Sequence, residues 1–319
     1  MGPTILLDKS ALECLSIEEI SVLSKYYYLL VTPTLIFEIM GDISKPPQKG
    51  ILSKDKVSQL SQKILSTDGF MNINYQSLCL ANLLGYDVPM TGKPVVEPGV
   101  SLKTSTGQKF IFFDEPLVRK VLQDWSNGNF TEAEENTSKR WREALKKLNL
   151  EPFQGEVSKS FEKVPKMKTL SELKAFLDEK ISNPDPGIQW ENIANVFHAF
   201  IESWAFTMNL QDQALKDINT LIYNRWHKDQ LPTLAVFASY ANYLLKVSYL
   251  FSFGLHSRLL TPKRSNAFDI EYLYYLPFCM VFSSGDNFHV EAAPLLLRRD
   301  QQFIHRDELK KDLKGLKED

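Results

Sequence analysis

The chain is poor in cysteine and has no long apolar run. Its three cysteines, Cys14, Cys79 and Cys279, form no CxxC pair and have no histidine at zinc-site spacing. Each lies in an apolar stretch, which favours a buried free thiol and fits a reducing cytoplasm. No apolar run approaches the roughly 20 residues that span a bilayer, and the run at residues 5–7 stops at Asp8 without a basic flank. We therefore expect a cytoplasmic protein with no membrane partner and no signal peptide.

An excess of positive charge is also missing. The formal net charge is -2, which gives no overall attraction to nucleic acid. A polyanionic substrate would therefore be held by a local basic patch or by a bound metal ion. The sequence contains no Gly-rich phosphate loop of the Walker type, no GxSxG elbow and no HExxH helix, so kinase, hydrolase-elbow and zincin functions have no support. The hydrophobic content of 44% and the charged content of 24% are typical of a globular chain.

Strand and helix patterns of the α/β type occur at the two ends of the chain. The predicted buried strands are residues 5–7, 26–31 and 280–283. Capping-box patterns at Ser10-x-x-Glu13 and Ser16-x-x-Glu19 predict two early helix N-termini, and a further helix is predicted to begin at Thr32. Strands that alternate with helices in this way indicate a parallel sheet.

The stretch between the two ends is long and mainly helical. We predict an α/β fold with a parallel sheet flanked by helices, interrupted by a large, mainly α-helical insertion. Residues 1–45 and 256–305 would form the discontinuous α/β domain, 46–255 the insertion and 306–319 a charged, solvated helical tail. Within the insertion, residues 109–113 are predicted as a strand or a buried turn. An apolar helical stripe is predicted as a packing face, with excess surface that would suit a protein partner or a homodimer. Its members are Trp190, Ile193, Phe197, Phe200, Ile201 and Trp204.

Four acidic residues occur where strands end or helices begin. Asp8 follows the first buried strand, and Asp286 follows the last one. Glu38 lies one turn into the helix after the second strand, and Asp269 lies near the start of the helix before the last strand. Ligands of parallel sheets bind outside the carboxyl ends of the strands, so we expect these residues to converge. Four carboxylates in one place repel one another unless a cation neutralises them, and Mg²⁺ or Mn²⁺ suits such oxygen ligands.

Four segments contain these acids. They are ILLDKSAL at residues 5–12, VTPTLIFE at 31–38, NAFDIEY at 266–272 and FSSGDNF at 282–288. Taken in this order, the segments resemble the motifs of the PIN-domain family, and the resemblance covers about 45 N-terminal and 40 C-terminal residues. The chain departs from the family in two ways. The spacing between Glu38 and Asp269 is far longer than usual, and Tyr272 stands where the family often has a small residue.

The resemblance implies a PIN-like sheet and a metal-dependent endoribonuclease, related in role to toxin or defence nucleases. It implies that Mg²⁺ or Mn²⁺ supports hydrolysis of an RNA phosphodiester bond, because a bound cation lowers the pKa of water and steadies charge on phosphate. Asp8 and Asp286 would be the main metal ligands. Glu38 and Asp269 would complete the ligand set, directly or through water.

Several other residues are candidates for supporting roles. By the same resemblance, Ser10 and Ser284 would orient carboxylates or phosphate. Asp42 lies four residues after Glu38, hence on the same helical face, and is a candidate fifth acid. His289 is a candidate phosphate contact, with a helix-cap or surface position as the alternative. Basic residues near the C-terminal motifs would hold an RNA backbone or simply form a solvated surface. They are Arg258, Lys263, Arg264, Arg298 and Arg299.

Two further hypotheses explain the same residues. In the first, the chain is a non-catalytic PIN-like scaffold that binds RNA or protein. In the second, it is a mainly helical interaction module whose ends only mimic the family, and Asp8 and Asp286 would then lie far apart. Taken singly, each acid also has a structural explanation, because acids near helix starts are favoured by the helix dipole and Ser10 can cap a helix.

Overall fold

Strands and helices follow one another in a computed structural model that describes residues 2–47, 50, 52–96, 115–147, 165–204 and 212–318. The strands are β1 (Thr4–Leu7), β2 (Tyr28–Val31), β3 (Phe70–Met71), β4 (Val281–Ser284) and β5 (Gln302–His305). The helices are α1 (Lys9–Cys14), α2 (Ile17–Leu23), α3 (Pro33–Gly41), α4 (Ser53–Leu65), α5 (Tyr75–Leu83), α6 (Glu115–Ser126), α7 (Glu132–Lys147), α8 (Leu170–Ile181), α9 (Pro186–Val196), α10 (Asp212–Lys228), α11 (Leu234–Phe237), α12 (Ser239–His256), α13 (Asn266–Leu273), α14 (Asn287–Leu296) and α15 (Arg306–Glu318). A π-helical segment, Phe197–Glu202, continues α9, and a 3₁₀ turn, Leu276–Phe278, follows α13. The predicted strand or turn at 109–113 lies outside the described residues.

Five parallel strands form one sheet in the order β3-β2-β1-β4-β5. β1 is the central strand, where Ile5 pairs with Leu29 of β2 on one side and with Val281 of β4 on the other. Every residue of β1 is buried, which agrees with its apolar run, because helices cover both faces of a parallel sheet. The predicted α/β class with a parallel sheet flanked by helices is confirmed.

The two edge strands were not predicted from the sequence. β3 has only two residues, Phe70 and Met71, which pair with Leu30 and Val31. A strand this short has no periodicity to detect. β5 begins at Gln302 and is only partly buried along its length, so its residues do not form the apolar run that identified β1 and β4.

The helices that follow β1 and β2 begin at side-chain caps. Asp8, not Ser10, caps α1, because its carboxylate accepts a hydrogen bond from the N–H of Ala11. The capping-box prediction at Ser10 is therefore wrong, whereas the one at Ser16 and Glu19 is confirmed at the start of α2. In α3, the predicted start is confirmed, with Thr32 as the cap and a proline in the first helical position, where no N–H is needed.

The sheet does not stop at the predicted domain boundary. β3 pairs with β2 although it lies inside the segment 46–255, so one strand of the sheet comes from the predicted insertion. The C-terminal helix α15 is not a fully solvated tail either. Its Leu309 and Leu313 are 4% and 2% exposed and join the hydrophobic core, because α15 packs against α2 and β5. The division into a domain and an insertion stays a prediction.

The helical middle of the chain shares a core with the sheet. α12 packs against α5, α8 and α9, and the buried face of α9 and its π-helical continuation contains most of the predicted apolar stripe. Ile193 and Ile201 are fully buried, and Trp190 stacks on Trp226 with ring centroids 5.5 Å apart. The stripe therefore packs largely within the chain, and a homodimer or protein partner at this segment stays a prediction. Of the helices in the described ranges, none combines the length and the apolar character needed to cross a bilayer.

Candidate functional site

The carboxyl ends of β1 and β4 meet at the centre of the sheet. β1 is followed by β2 and β3 on one side, whereas β4 and β5 lie on the other, so the strand order reverses between β1 and β4. Asp8 directly follows β1, and its N–H donates to the carbonyl oxygen of Ser283 at 3.2 Å. Asp286 lies two residues beyond the end of β4. Such a reversal is where parallel sheets bind ligands, and two of the predicted acids lie there.

Glu38 and Asp269 reach the same place from helices, because α13 packs against α3. Burial raises the pKa of Glu38, and the charge of Asp8 raises it further. Burial raises the pKa of Asp269 to about 7, and the charges of Asp286 and Glu38 contribute to the increase. Contacts also place the four acids in one region. The hydroxyl of Ser284 contacts Asp8 and the N–H of Asp286, and His289 contacts Asp8 and the backbone of Asp269. Tyr272, whose hydroxyl contacts Glu38, lies beside His289 with ring centroids 5.8 Å apart. A helical module whose ends only mimic the motifs would place Asp8 and Asp286 far apart, and they are not. The PIN-like character of the segments and the catalytic and metal-binding roles stay predictions.

The carboxylate of Asp8 is held on several sides. It is 4% exposed and accepts hydrogen bonds from the hydroxyl of Ser10 at 2.9 Å, from the N–H of Ala11 at 2.8 Å and from the hydroxyl of Ser284 at 2.6 Å. Burial alone would raise the pKa of Asp8, but His289 and these hydrogen bonds lower it below its ordinary value. Asp8 is therefore a carboxylate, oriented by the two serines to which the sequence assigned that role.

His289 is fully buried, and neither of its predicted positions is correct. It contacts no helix end as a cap and does not lie on the surface, because its ring fills the space between Asp8 and α13. Its Nε2 lies 2.6 Å from the backbone oxygen of Asp269, and Nε2 must carry a hydrogen because a carbonyl can only accept. Its Nδ1 lies 2.8 Å from the hydroxyl of Ser284 and 3.4 Å from Asp8 Oδ2. Burial alone would lower the pKa of His289, but Asp8 raises it above its ordinary value, which favours the imidazolium.

The hydroxyl of Ser284 links this histidine to the acids. With His289 as imidazolium, Ser284 Oγ accepts from Nδ1 and from the N–H of Asp286, and it donates to Asp8. These contacts use both lone pairs and the single hydrogen of the hydroxyl. The hydrogens are assigned from the partners in this network. The direction of the Ser284 hydrogen bond is thus tied to the protonation state of His289.

Glu38 has one carboxylate oxygen occupied by a buried tyrosine. The hydroxyl of Tyr272 donates to Glu38 Oε2 across the interface of α3 and α13. Burial raises the pKa of Tyr272 well above its ordinary value, so this hydroxyl remains a donor. Tyr272 is one of the two departures from the PIN-domain motifs, and the contact gives its role in this chain.

The last two acids differ from each other in their surroundings. Asp286 caps α14, where it accepts from the N–H of Phe288 at 2.8 Å. Asp269 is close to His289, which lowers the pKa of its carboxyl, but burial outweighs this effect and the pKa rises to about 7. Its Oδ2 is buried and has no hydrogen-bond partner within the described part of the chain. A buried oxygen without a partner is costly unless a proton or a ligand satisfies it.

The cluster fits a divalent cation in kind but not in its present arrangement. Its donors are all carboxylate oxygens, two of its acids have raised pKa values and Asp269 Oδ2 is unsatisfied, which suits Mg²⁺ or Mn²⁺. However, no group of three or more His, Cys, Asp or Glu side chains among the described residues is spaced to hold a metal ion. In this arrangement Ser284 and His289 engage Asp8, and Tyr272 engages one carboxylate oxygen of Glu38.

Asp42 is ion-paired, which does not favour the predicted role as a fifth acid. It is the C-terminal cap of α3, and its carboxylate lies 2.6 Å from Lys9, 3.6 Å from Lys45 and 3.8 Å from Lys56. Burial alone would raise the pKa of Asp42, but the charge of Lys9 and the other lysines lower it. Asp42 is therefore an ion-paired carboxylate that joins α3 to α1 and α4.

Two of the predicted RNA-binding arginines lie far from the acids. Arg298 donates to the backbone oxygen of Pro277 at 3.4 Å, and its guanidinium lies 3.9 Å from Met280 Sδ. Met280 precedes β4, so Arg298 is at the amino edge of the sheet, opposite the acids. Arg299 is its exposed neighbour in the chain. The position of these two residues does not favour contact with a substrate at the acidic cluster.

The other predicted basic residues lie before α13. Arg258 is exposed at the turn after α12, where it adopts a positive φ of 60°, and Lys263 is also exposed. Arg264 lines a cavity of about 280 Å³ whose wall includes Glu38. Two residues of α7, Arg142 and Lys146, line the same cavity. Of the basic residues predicted to hold RNA, Arg264 is thus the one that the structure places beside an acid of the cluster.

Helix α7 reaches the acids because α3 has a glycine where the two helices touch. The hydroxyl of Ser138 donates to the backbone oxygen of Gly41 at 3.1 Å. The ring of Trp141 packs on Phe268 of α13, with centroids 4.6 Å apart. A Cβ on Gly41 would lie 2.7 Å from Trp141 Cδ1, which is closer than such atoms can approach. Trp141 is therefore a packing residue that holds α7 beside Glu38.

Replacing Gly41 with alanine is expected to lower the free energy of unfolding by about 1–3 kcal/mol, because the added methyl group must displace a wedged tryptophan ring. Urea unfolding followed by circular dichroism measures the change. Gly315→Ala is the matched control, since nothing lies within 4 Å of its Cβ position and alanine favours a helix. A Gly41→Ala protein as stable as the parent would contradict this account of how α7 is held.

Glu271 of α13 is a buried acid for which the sequence predicted no role. Its carboxyl accepts hydrogen bonds from Thr34 at 2.8 Å and from Tyr75 at 3.3 Å. Burial raises the pKa of Glu271 to about 7, although these two hydrogen bonds lower it. Glu271 lies two residues from Asp269 on a helix and so faces another direction. Asp269 was predicted because it is an acid near the start of a helix, and this pattern does not distinguish Asp269 from Glu271.

Comparison with known proteins gives this site no relative. A scan against protein-family models, a search of curated proteins and a search of solved structures each found no match.

Proposed function

We propose that the chain is a metal-dependent endoribonuclease whose acidic cluster, with Mg²⁺ or Mn²⁺, hydrolyses RNA phosphodiester bonds. The observation that carries the proposal is the convergence of Asp8, Glu38, Asp269 and Asp286 at the reversal of strand order, from segments almost 280 residues apart. The raised pKa of Asp269 and its unsatisfied oxygen support it. Burial causes most of the increase, the charges of Asp286 and Glu38 add to it, and a cation would stabilise the buried carboxylate. The PIN-like motifs supply the reaction class.

Each side chain has a part in this proposal that follows from its contacts. The four acids would hold the cation, which when bound lowers the pKa of a water molecule and stabilises charge on phosphate. Ser10 and Ser284 fix the orientation of Asp8 through the hydrogen bonds described above. His289 donates to the backbone of Asp269 and so holds α13 against β4.

Replacing Asp8 with asparagine is expected to reduce Mn²⁺-dependent RNA cleavage at least about 100-fold. A bound cation contributes several kcal/mol to stabilisation of the transition state, and about 1.4 kcal/mol corresponds to a tenfold change in rate. The assay follows cleavage of a mixed pool of single-stranded and folded RNAs with Mn²⁺, with Mg²⁺ or with a chelator. Asp300→Asn is the matched control, because Asp300 is an exposed aspartate paired with Arg298 at the opposite edge of the sheet. Cleavage that survives both the chelator and the Asp8→Asn change would overturn the proposal.

The second candidate function is a non-catalytic scaffold with the same fold. Two observations favour it. Tyr272 engages Glu38 and His289 engages Asp8, and the described residues contain no group of three or more side chains spaced to hold a metal ion. Direct measurement of Mn²⁺ binding by electron paramagnetic resonance separates the two functions. The nuclease requires saturable binding that Asp8→Asn weakens, whereas a non-catalytic scaffold binds no Mn²⁺ at this site.

A further inference from the structure

A cavity lined by basic residues opens directly beside the acidic cluster. Its volume is about 280 Å³, and Glu38 forms part of its wall. Three cationic side chains line it, Arg142 and Lys146 from α7 and Arg264 from the segment before α13. A cavity that combines several cations with one carboxyl of a neighbouring cluster differs from an ordinary solvated surface, in which charges of both signs alternate.

These three cations are available to a ligand. Among the residues that the structure describes, none of the three has an ion-pair or hydrogen-bond partner, in contrast to Lys9, which pairs with Asp42. Arg142 and Lys146 are four residues apart on α7 and therefore share one helical face. Like charges on one face repel each other, so an anion in the cavity would lower the free energy of this arrangement.

Aromatic side chains adjoin the cations. Phe268 lines the cavity, and Trp141, which neighbours Arg142, packs on it. Phe37, which is 44% exposed, also packs on Trp141, with ring centroids 6.3 Å apart and nearly parallel planes. Proteins that bind single strands combine a basic groove with aromatic rings on which unpaired bases stack, and here Phe268 lies in the wall of the cavity itself.

The position of the cavity is fixed by the fold. Trp141 and Ser138 hold α7 on α3 at Gly41, and Glu38 lies three residues before that glycine. Any chain that occupies the cavity thus passes within one turn of helix of a predicted metal ligand. Duplex RNA is a wider rod whose bases are already stacked, so the aromatic side chains offer it no equivalent contact.

We propose that Arg142, Lys146 and Arg264 form a phosphate-binding subsite for single-stranded RNA, which directs the strand from the cavity across the acidic cluster. The direction of the RNA strand toward the acids rests on the proposed nuclease function, whereas binding in the cavity needs no metal ion. The subsite assigns a substrate class, unpaired RNA, and it gives α7 a role in recognition.

The test is binding of a fluorescein-labelled oligouridylate of about ten nucleotides, measured by anisotropy with a chelator present so that no cleavage occurs. The Arg142→Ala, Lys146→Ala double variant is expected to bind at least about tenfold more weakly. The slope of log affinity against log salt should fall by about 1.4, because each phosphate contact to a single strand contributes about 0.7. Arg264→Ala, on a different element, should weaken binding in the same way and guards against a folding defect in α7.

The control removes the same charge elsewhere. Lys311 and Lys314 are exposed on α15, and their double alanine variant should bind as the parent does. Three results would overturn the subsite. They are no binding of the oligonucleotide by the parent, equal loss in the control, and competition by duplex RNA or by polyglutamate as effective as that by the single strand. If the cavity variants lose binding while the parent cleaves no RNA with any cation, the subsite stands and the nuclease proposal fails. If the cavity variants instead cleave RNA with the same rate and KM as the parent, the subsite fails and the nuclease proposal stands.

Discussion

Raising the pH from about 5 to about 8 is expected to lower the free energy of unfolding by several kcal/mol. Burial raises the pKa of both Asp269 and Glu271 to about 7 in the folded chain, from ordinary values of 3.8 and 4.5. Between the ordinary and the raised value, the folded state binds more protons than the unfolded state, so stability falls as pH rises. His289 acts in the same direction above its ordinary pKa of 6.5, because Asp8 raises its pKa and favours the charged ring.

The expected size follows from the same values. One pKa unit corresponds to about 1.4 kcal/mol, so each of the two carboxyls contributes roughly 2–3 kcal/mol between about pH 5 and pH 8. Below pH 4 the sign reverses. Hydrogen bonds and charge lower the pKa of Asp8 and Asp42 below 3.8, so the stability that these carboxylates provide is lost as acid protonates them. Stability should therefore be greatest at about pH 4–5.

Urea unfolding at a series of pH values, followed by tryptophan fluorescence, measures this dependence. Asp269→Asn and Glu271→Gln should each flatten the profile between about pH 5 and pH 8, since each removes one buried titrating group. Mn²⁺ distinguishes the two variants. The cation should stabilise the parent at pH 8 by about 2.7 kcal/mol at 100 times its Kd, and should do the same for Glu271→Gln but not for Asp269→Asn. A parent profile that is flat, or that rises toward pH 8, would contradict the titration of these carboxyls.

Replacing His289 with alanine is expected to lower the free energy of unfolding by about 3–5 kcal/mol, because removing one partner of a buried ion pair leaves an uncompensated charge. The change also leaves a cavity between Phe282 and Tyr272, whose ring centroids lie 5.0 Å and 5.8 Å from that of the imidazole. The carbonyl of Asp269 loses its donor as well. Thermal and urea unfolding measure the loss.

The matched control for His289 is His198→Ala. The side chain of His198 is 82% exposed, and its one ion-pair partner among the described residues is Glu202 of the same helical segment. Its loss should therefore change stability by less than about 0.5 kcal/mol. The cation response gives a second readout. In His289→Ala, Asp8 lacks its internal counter-charge, so Mn²⁺ should stabilise this variant more than it stabilises the parent. Equal stability of His289→Ala and the parent would show that the pairing with Asp8 contributes nothing.

The sequence predicted the centre of the fold better than its edges. β1, the start of α3 and β4 were predicted because apolar runs end at polar caps, and these signals are local. β3 and β5 were missed because their pairing depends on neighbours far along the chain and not on any pattern of their own. The many charged residues of α15 indicated a helix exposed to solvent. Leu309 and Leu313, however, lie on one face of this helix, and its packing against α2 shows that this face is buried.

At the site, the sequence predicted which acids converge but not the hydrogen-bond and ion-pair partners of those acids. Acids at strand ends follow from topology, because parallel strands bring their carboxyl ends to one edge. The partners come from elements that the sequence does not relate to one another. Only the folded structure shows that the ring of His289 faces Asp8. Likewise, the ion pairs of Asp42 form only because α1 and α4 pack on α3. No local pattern shows that α7 lies beside Glu38, so the position of Arg142 at the site could not be predicted from the sequence.

The pairing of Ile5 with Val281 has a consequence for biosynthesis. Because β1 and β4 are far apart in sequence, β1 remains without one of its two neighbours during translation until residue 281 has been added, and contacts so distant in sequence form slowly. During that interval the exposed edge of β1 can pair with other chains, which makes a chaperone requirement or aggregation of incomplete chains an expected property. A polypeptide shortened before β4 also lacks Ser284 and Asp286, so it cannot assemble the acidic cluster.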